Sequence, residues 1–394
     1  MNYILFDNPN RNHLLPLTFI RPVADIRIGI LTIREKWERY LNTKTSTLTE
    51  DYLSKKFPII KGKSNILING SICPSPELVK KIIKLKPNQA LVQGEILVAI
   101  NLNEGDIDNL DSAENIEDVE VNTPLLKIDY LWDIFQKNGE AIKADYLLLT
   151  EGRKSDKASV TNTLICPENI FIEKGAKIEC AVLNATDGPI YIAAGTEIME
   201  GSVIRGPFAL CEHATVKMAA KIYGPSTIGP HSKVGGEINN CVIFGYSNKA
   251  HDGFLGNSVI GEWCNIGADS NNSNLKNNYT EVKLWDYPSK KFIDTGLQFC
   301  GLIMGDHSKC GINTMFNTGT VIGVNSNIYG HGYQRNFIAS FSWGSSSSRI
   351  TTFEIEKAIE VAEKVYERRK MVLSEIEKNI LRHIYIMTRE YRFL

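Results

Sequence analysis

A histidine stands beside a carboxylate in a polar, glycine-containing stretch near the middle of the chain. Residues 247–261 are SNKAHDGFLGNSVIG, with His251 and Asp252 near their centre. Histidine is the side chain that most readily accepts a proton near neutral pH, so His251 is a candidate general base. A histidine in a turn is also commonly a solvated or hydrogen-bonded structural residue, and the spacing alone leaves both interpretations open.

A six-residue period indicates the elements that must position His251. Branched apolar residues stand six apart, separated by residues that are mostly small or polar: Ile192, Ile198, Ile204, Leu210, Val216, Ile222, Ile228 and Val234. The period returns at Met304, Cys310, Phe316, Ile322 and Ile328. Helices and strands have periods of about 3.6 and about 2, whereas a hexapeptide β-helix gives one short strand and turn per step and three steps per coil. We therefore predict a β-helix over residues 164–330.

The period is interrupted twice, and His251 lies in the first interruption. Val234 and Ile260 are 26 residues apart, which is not a multiple of six. A long insertion then occupies residues 271–301, in which 282–285 and 291–294 are predicted to form a projecting hairpin. Insertions in solenoids tend to lie on the binding face. Residues 239–256 and 271–301 are therefore the first places to look for chemistry.

The regions on either side of the β-helix differ from it in pattern. In residues 1–153, apolar runs at 3–6, 66–68 and 91–100 alternate with helical patterns at 30–41 and 77–85, which predicts an α/β domain with a mainly parallel sheet. Residues 351–394 contain two apolar helical stripes. Each stripe is preceded by a capping-box pattern, Thr351 with Glu354 and Ser374 with Glu377. We expect these helices to pack on the end of the β-helix or on a neighbouring subunit.

Composition excludes several classes of partner. Lys plus Arg (44) nearly equals Asp plus Glu (45), so neither a nucleic-acid partner nor a polybasic membrane contact is predicted. No apolar run is long enough to span a bilayer, and the first ten residues lack the pattern of a signal peptide. The eight cysteines are scattered without a CxxC pair, which favours a reducing, cytoplasmic compartment.

Residues 247–268 resemble the acetyltransferase domain of bifunctional N-acetylglucosamine-1-phosphate uridyltransferase/glucosamine-1-phosphate acetyltransferases. That family has the pattern S-K-A-G-H-L-x-Y-L-G-D-A-x-I-G followed by N-I-G-A-G, and the resemblance extends over about 192–328. It implies a left-handed hexapeptide β-helix that transfers an acetyl group from acetyl-CoA. His251 would be the catalytic base, and the backbone N–H of Ala268 would stabilise the oxyanion.

The same resemblance implies a set of substrate-binding residues: Lys249, Phe254, Asn265, Asn274 and Arg205. Four positions depart from the family pattern. The family's Lys on the coil before the His aligns on Asn239, so Lys249 is the nearest basic candidate, and Arg205 is a nearby arginine at another position. Glu212 stands where the family has the second Arg of G-P-F-A-R-L-R, Phe254 replaces a Tyr, and Leu275 replaces the Tyr after Asn274.

Residues 14–23, LLPLTFIRPV, are similar to the second half of the sugar-phosphate nucleotidyltransferase signature G-x-G-T-R-L-x-P-L-T. The sequence PNRNH replaces the glycine loop, Val23 replaces the signature Lys, and Ser71 stands where a metal-binding Asp is expected. The resemblance makes Arg11, Thr18 and Arg21 nucleotide-binding candidates, with Mg²⁺ as the implied metal. For the arginines, solvated surface charge is the plain alternative.

The sequence as a whole resembles the variant bifunctional-type sugar nucleotidyltransferases of Bacteroidetes-like bacteria. The resemblance implies an enzyme of UDP-N-acetylglucosamine biosynthesis that N-acetylates a hexosamine 1-phosphate, with NTP-dependent nucleotidyl transfer in the N-terminal domain left open. One alternative is a nucleotidyltransferase, uridylyl or thymidylyl, whose β-helix only oligomerises. The other is a non-catalytic scaffold. The resemblance also implies a homotrimer, because one coil supplies only part of a groove for acetyl-CoA.

Overall fold

The N-terminal domain is built on a six-stranded mixed sheet with the strand order β2-β1-β3-β5-β4-β6. The computed structural model describes residues 1–103, 105–107, 116–347 and 349–393. The strands are β1 (Asn2–Phe6), β2 (Ser46–Leu48), β3 (Ser64–Asn69), β4 (Gln89–Gln93), β5 (Ile96–Asn103) and β6 (Glu117–Glu120). The helices are α1 (Ile33–Leu41), α2 (Asp51–Ser54), α3 (Pro76–Ile83), α4 (Leu131–Gln136) and α5 (Asn138–Thr150). Strand β1 pairs in parallel with β2 and β3, and its central residues are buried, as expected of strands covered on both faces.

Local sequence signals explain the ends of several of these elements. The Ser75 hydroxyl accepts a hydrogen bond from the Leu78 N–H and caps α3, as the sequence predicts. The apolar run at 91–100 forms two strands instead of one. It turns at Gly94, whose φ of +56° suits glycine, and β4 and β5 pair antiparallel.

Residues 163–344 form a parallel β-helix with three faces, which confirms the predicted architecture. Face 1 consists of β7 (Thr163–Ile165), β10 (Val182–Asn184), β13 (Val203–Arg205), β16 (Lys221–Tyr223), the first halves of β19 (Glu237–Ile243) and β21 (Phe254–Ile260), β23 (Asn271–Asn272) and β28 (Met315–Phe316). Face 2 consists of β8 (Ile170–Ile172), β11 (Ile190–Ile192), β14 (Phe208–Leu210), β17 (Ser226–Ile228), the second halves of β19 and β21, β26 (Leu302–Met304), β29 (Thr320–Ile322) and β31 (Phe337–Ile338).

Face 3 consists of β9 (Lys177–Ile178), β12 (Glu197–Ile198), β15 (Thr215–Val216), β18 (Lys233–Val234), β20 (Asn248–Lys249), β22 (Asn265–Ile266), β27 (Lys309–Cys310), β30 (Asn327–Ile328) and β32 (Ser342–Gly344). The β-helical strands thus continue past residue 330. The residues of the six-residue period point inward and form one buried core, mainly of Ile, Leu and Val side chains together with Met304, Cys310 and Phe316. Each fully buried side chain of this size contributes about 1.5–3 kcal/mol.

The interruption of the period before residue 260 reflects shortened coils and not an interruption of the fold. Val216 pairs with Val234, which is 18 residues further along the chain, but Val234 pairs with Lys249, only 15 further. The turn at Gly235-Gly236 and the bend at Asn240 contain fewer residues than the regular corners of the β-helix. Ile238 and Ile243 therefore still point inward, although they follow the preceding inward residues by fewer than six positions. The β-helix therefore continues where its sequence signal is lost.

Face 2 is covered by the N-terminal domain. Helix α5 contributes Ile142 and Leu149 to a buried cluster with Phe171 and Tyr191 of face 2. The Thr227 hydroxyl, also on face 2, donates a hydrogen bond of 2.9 Å to the carbonyl of Gly29. The α/β domain and the β-helix thus share one packed interface.

The predicted hairpin is confirmed, since β24 (Lys283–Asp286) and β25 (Lys291–Asp294) pair antiparallel. It does not project freely into solvent. The Asp286 carboxylate lies 2.6 Å from Nδ1 of His13, and the Tyr287 ring packs edge-on against Phe19 with centroids 5.3 Å apart. The insertion therefore holds the N-terminal domain against the β-helix.

The C-terminal segment ends in two helices, α6 (Ile355–Arg368) and α7 (Glu375–Met387). The capping box at Ser374 and Glu377 is confirmed. The one predicted at Thr351 is wrong, because Thr351 lies in strand β33 (Thr351–Thr352), which pairs antiparallel with β32. The ring of Tyr366 on α6 stacks on Trp263 with centroids 4.1 Å apart. None of the helices described is long and apolar enough to cross a membrane.

Face 1 keeps apolar side chains exposed to solvent. The outward residues with this property are Ile165 (40% exposed), Val203 (49%), Tyr223 (37%) and Met315 (37%). By contrast, the outward residues Phe171 and Tyr191 of face 2 are each 5% exposed beneath the N-terminal domain. Faces 1 and 2 of the β-helix therefore differ in their exposure to solvent.

Candidate active site

The turn that carries His251 lies at the corner between face 3 and face 1. His251 and Asp252 follow β20 and precede β21, and both are exposed. The Asp269 N–H, one coil further on, donates a hydrogen bond of 3.0 Å to the Asp252 carbonyl. The His251 turn therefore stacks directly on the turn containing Ala268, at the inter-strand spacing of about 4.8 Å.

A turn of two glycines, Gly235 and Gly236, lies on the other side of His251. Gly236 has a φ of +72°, and a Cβ at this position would lie 3.0 Å from the His251 carbonyl oxygen and 2.8 Å from that of Gly253. A side chain there would collide with the backbone of the His251 turn. The shortened coil thus allows the turn to approach closely and leaves no side chain between the two coils.

Lys249 lies inside the β-helix and not at a surface site for substrate. It occupies the inward position that Val234 and Ile266 hold on neighbouring coils, and it is 2% exposed. Its ammonium donates to the carbonyls of His251, at 2.6 Å, and Asp252, at 3.1 Å. Lys249 therefore fixes the backbone of the turn from within.

The buried position of Lys249 makes the stability depend on pH in a defined direction. Desolvation lowers the pKa of Lys249 to about 8, below its usual 10.5. Between these pH values the unfolded chain keeps the proton and the folded chain releases it, so rising pH stabilises the folded state. A pKa shift of this size corresponds to a change of about 3 kcal/mol in the free energy of unfolding.

We therefore expect the free energy of unfolding of the wild type, relative to Lys249→Met, to rise between about pH 8 and about pH 10.5. Urea unfolding of both proteins across this range measures the difference. A difference that stays constant or falls with pH would contradict the expectation. The exposed residue Lys370 provides the control variant, Lys370→Met, which removes a lysine at the surface.

Two predicted substrate residues lie next to the corner, on the side of face 1. Phe254 is half-buried, and its ring lies against Gly256, where a Cβ would come within 2.5 Å of Cζ. The Asn274 side chain donates a hydrogen bond of 2.7 Å to Oδ1 of Asn257. The structure brings both within one coil of His251.

Asn265 lies on the other side of the corner, on face 3. Its Oδ1 accepts a hydrogen bond of 2.9 Å from Asn248 on the neighbouring coil, and Asn265 is exposed. Asn248 precedes His251 by three residues and Asn265 precedes Ala268 by three, a distance of about 10 Å along a strand. The two asparagines therefore form a polar pair on face 3 that lies parallel to the corner, about 10 Å from it.

Arg205 is not brought to this corner. It lies on face 1 in β13, and the register places three coil spacings, about 14 Å, between its strand and that of Phe254. It pairs with Asp187 at 3.5 Å, both side chains being more than half exposed. Glu212 lies between β14 and β15, at the corner between faces 2 and 3. The charge reversal at Glu212 is therefore remote from His251.

In the N-terminal domain, Arg11 and Thr18 are buried and bonded to each other. The Arg11 guanidinium donates to Asp7 at 3.0 Å and to the Thr18 carbonyl at 2.5 Å, and the Thr18 hydroxyl donates back to the Arg11 carbonyl. Both residues are less than 5% exposed. Their polar groups are thus used to hold the loop after β1.

Arg21 joins the two domains. Its guanidinium makes a bidentate contact with Asp306, at 2.6 and 3.1 Å, and also lies 3.1 Å from Glu262. Asp306 is 1% exposed and precedes β27 of the β-helix. The side chain of Arg21 therefore faces the domain interface and is neutralised there.

The carboxyl edge of β1 and β3 does not fit Mg²⁺. Its carboxylate, Asp7, already accepts hydrogen bonds from Arg11, Thr49 and the Val23 N–H. At the end of β3, Ser71 offers a hydroxyl that is bonded to Asn8 and Asn69. Mg²⁺ is held by free carboxylates, and the described residues contain no group of three or more acidic, His or Cys side chains placed to hold a metal.

A cleft between α6 and face 3 has no counterpart in the sequence-based expectations. It has a volume of about 1020 Å³. One register column forms its floor, and the residues in it are Lys233, Asn248, Asn265 and Lys309. The predicted site residue Asn265 therefore lines this cleft.

A ladder of stacked histidine and aromatic rings along the corner between faces 2 and 3 was also not predicted from the sequence. The rings of His213, His231, Tyr246 and Trp263 stack with centroid separations of 5.0, 4.8 and 4.2 Å. Each residue has a positive φ, between 57° and 61°. Their recurrence once per coil is the signal that could have revealed the ladder.

Comparison with known proteins agrees with this organisation. Residues 3–154 match the family model described as sugar nucleotidyl transferase. The chain is similar to the bifunctional protein GlmU of Methanocaldococcus jannaschii, with 26% identity over 200 residues, 51% of this chain and 44% of that protein. It is also similar to a bifunctional sugar-1-phosphate nucleotidylyltransferase/acetyltransferase of Sulfurisphaera tokodaii, with 34% identity over 93 residues, 24% of this chain and 23% of that protein. The chain is thus similar to bifunctional proteins of this kind over part of its length.

These matches confirm the resemblance inferred from the sequence. The aligned part of the chain spans less than half the length of either relative. Among solved structures, AntD, an N-acyltransferase from Bacillus cereus in complex with dTDP and 3-hydroxybutyryl-CoA, covers 53% of this chain and 91% of its own, at 12% identity. The TM-score is 0.20, too low for this likeness to bear on function.

Proposed function

We propose that this chain is an acetyl-CoA-dependent N-acetyltransferase that acts on a hexosamine 1-phosphate in amino-sugar nucleotide biosynthesis. The observation that carries the proposal is the exposed His251 turn, stacked on the Ala268 turn at an open corner of the β-helix. The similarity to bifunctional proteins whose names include an acetyltransferase supports the same reaction.

The corner has the groups that amide formation requires. Acetyl-CoA would supply the acetyl thioester. His251 would take a proton from the sugar amine as it attacks the thioester carbon. The C–S bond would then break, and coenzyme A would leave as the thiol after taking the proton back from the imidazolium. The Ala268 N–H is the donor proposed for the developing oxyanion, which a fixed backbone dipole stabilises better than water does. Phe254 and Asn274 would contact the sugar from face 1, and Asn265 would contact the thioester arm from face 3.

A direct assay tests this proposal. Purified protein, glucosamine 1-phosphate and acetyl-CoA should release free thiol and form the N-acetylated sugar, measured by thiol titration and mass spectrometry. Fructose 6-phosphate is the matched control, since it is a phosphorylated sugar without an amine. Thiol release that is equal with both sugars, or absent with both, would contradict amine acetylation.

The second candidate is nucleotidyl transfer in the N-terminal domain, favoured by the family match over residues 3–154. Against it stand the internal bonds of Arg11, Thr18 and Arg21 and the poor fit of the carboxyl edge to Mg²⁺. We therefore assign no step to a metal here. Adding UTP, dTTP and Mg²⁺ to the same assay tests the point, and pyrophosphate release would establish the second activity.

We further propose that the protein is a homotrimer that associates through face 1. Exposed apolar residues on this face, including Val203 and Tyr223, would be covered by a neighbouring chain. The His251 corner borders face 1, so the neighbour would also complete the site.

Since all eight cysteines are free, we propose a reducing compartment, the cytoplasm, for this protein.

Light scattering at micromolar concentration should give about three times the 44.1 kDa mass of one chain. A Val203→Asp/Tyr223→Asp variant should shift the mass towards one chain, because a subunit contact would bury the new charges. The exposed residue Ile386 on α7 is the matched control, and Ile386→Asp should leave the mass unchanged. A wild-type mass near that of one chain would refute the trimer.

A further inference from the structure

The cleft between α6 and face 3 is strongly cationic. Six basic side chains line it against two carboxylates: Lys233, Lys309, Lys357, Lys364, Arg368 and Arg369, with Glu354 and Glu360. The whole chain, by contrast, carries a formal net charge of −1. Positive charge is therefore concentrated at this place, and a concave site lined by one sign of charge attracts a ligand of the opposite sign.

The positive charge is densest where α6 ends. Lys364 and Arg368 stand one helical turn apart on the same side of α6. Arg369 follows them and donates a hydrogen bond of 3.2 Å to the carbonyl of His231. His231 lies two residues before Lys233. These side chains are exposed. Lys364 pairs with Glu367 at 3.0 Å, and an exposed ion pair of this kind is weak enough for a phosphate group to replace it.

The shape of the cleft suits an elongated ligand. Helix α6 has 14 residues and is therefore about 21 Å long. The floor runs across four coils from Lys233 through Asn248 and Asn265 to Lys309, and the His251 corner lies parallel to it, about 10 Å away along the strand. A ligand anchored beside α6 can therefore reach the corner with its other end.

We propose that this cleft binds the phosphorylated adenine nucleotide of coenzyme A, with Lys233, Lys364 and Arg368 contacting its phosphates. The inference rests on the proposed acetyl transfer and deepens it. The cofactor is held by the chain's own C-terminal helix, and its thioester end extends over Asn248 and Asn265 to Ala268. Helix α6 is then part of the binding site, in addition to covering part of the β-helix.

Calorimetric titration with coenzyme A and with pantetheine tests the proposal. The Lys364→Ala/Arg368→Ala variant should bind coenzyme A at least about tenfold more weakly than the wild type, because two charge-assisted contacts are lost. Its affinity for pantetheine, which lacks the nucleotide, should not change. Both side chains are exposed, and thermal unfolding of the variant should match that of the wild type.

Two further variants separate this proposal from the proposed function. Lys370→Ala removes a cation just beyond α6 that does not line the cleft, and its affinity for coenzyme A should stay within about twofold of wild type. His251→Asn should lose acetyl transfer and keep coenzyme A binding. Equal coenzyme A affinity in the wild type and the Lys364/Arg368 variant would refute the cleft and leave acetyl transfer standing. Failure of the wild type to bind coenzyme A would refute both.

Discussion

Replacing His251 by asparagine is expected to lower the rate of acetyl transfer by about 10²–10⁴-fold, the usual contribution of a positioned general base. The side chain is exposed at the corner, and the backbone of its turn is held by Lys249 and by the Asp269 N–H. The substitution should therefore leave the fold and the affinity for acetyl-CoA unchanged. Steady-state kinetics should show the loss in kcat with little change in KM.

The chain offers a matched control for this experiment. His331 is also an exposed histidine in a turn of the β-helix, and His331→Asn should retain wild-type kcat. If His251→Asn keeps most of the activity, His251 is a structural residue. If His331→Asn loses the activity instead, the general base is His331.

The second large effect is expected at Arg21. Replacing it by methionine leaves Asp306, which is 1% exposed, as an uncompensated buried carboxylate. Breaking a buried ion pair by removing one partner costs about 3–5 kcal/mol. Urea unfolding should show a loss of this size, and the interface between the N-terminal domain and the β-helix should open first.

A double variant that removes both charges distinguishes the cost of the unpaired carboxylate from the cost of lost packing. The variant Arg21→Met/Asp306→Leu should recover much of the lost stability, because an apolar pair of similar volume often equals a buried ion pair. Arg382, which pairs with Glu356 and Glu375 at the surface, is the control, and Arg382→Met should cost less than about 1 kcal/mol. An effect at Arg21 no larger than this would show that the residue does not hold the domains together.

The parts of the fold that were predictable are those fixed by a repeated local constraint. Each hexapeptide must place one apolar residue inside the coil, so the period from Ile192 to Val234 gives the β-helix directly. The cap at Ser374 and the hairpin in the insertion are likewise local signals. Long-range packing decided the rest.

Lys249 shows why the site was harder to predict. A lysine at an inward position contradicts the pattern, and only the carbonyls of His251 and Asp252 explain why it is tolerated there. Arg21 resembles a phosphate ligand until its partner Asp306, 285 residues away, is known. Thr351 has the local pattern of a helix cap, but pairing with β32 places it in a strand.

The contacts between the N-terminal domain and α7 set a constraint on how the chain is synthesised. Lys56 pairs with Glu377, which is 321 residues later, and Tyr52 stacks on His383. At about 5–20 residues per second, a ribosome needs roughly 16–64 s to cover that distance. During this interval the N-terminal domain lacks the contacts made by α7. Until residue 287 is synthesised, it also lacks the ring of Tyr287 that packs on Phe19. The N-terminal domain therefore reaches its full packing only after α7 has emerged from the ribosome.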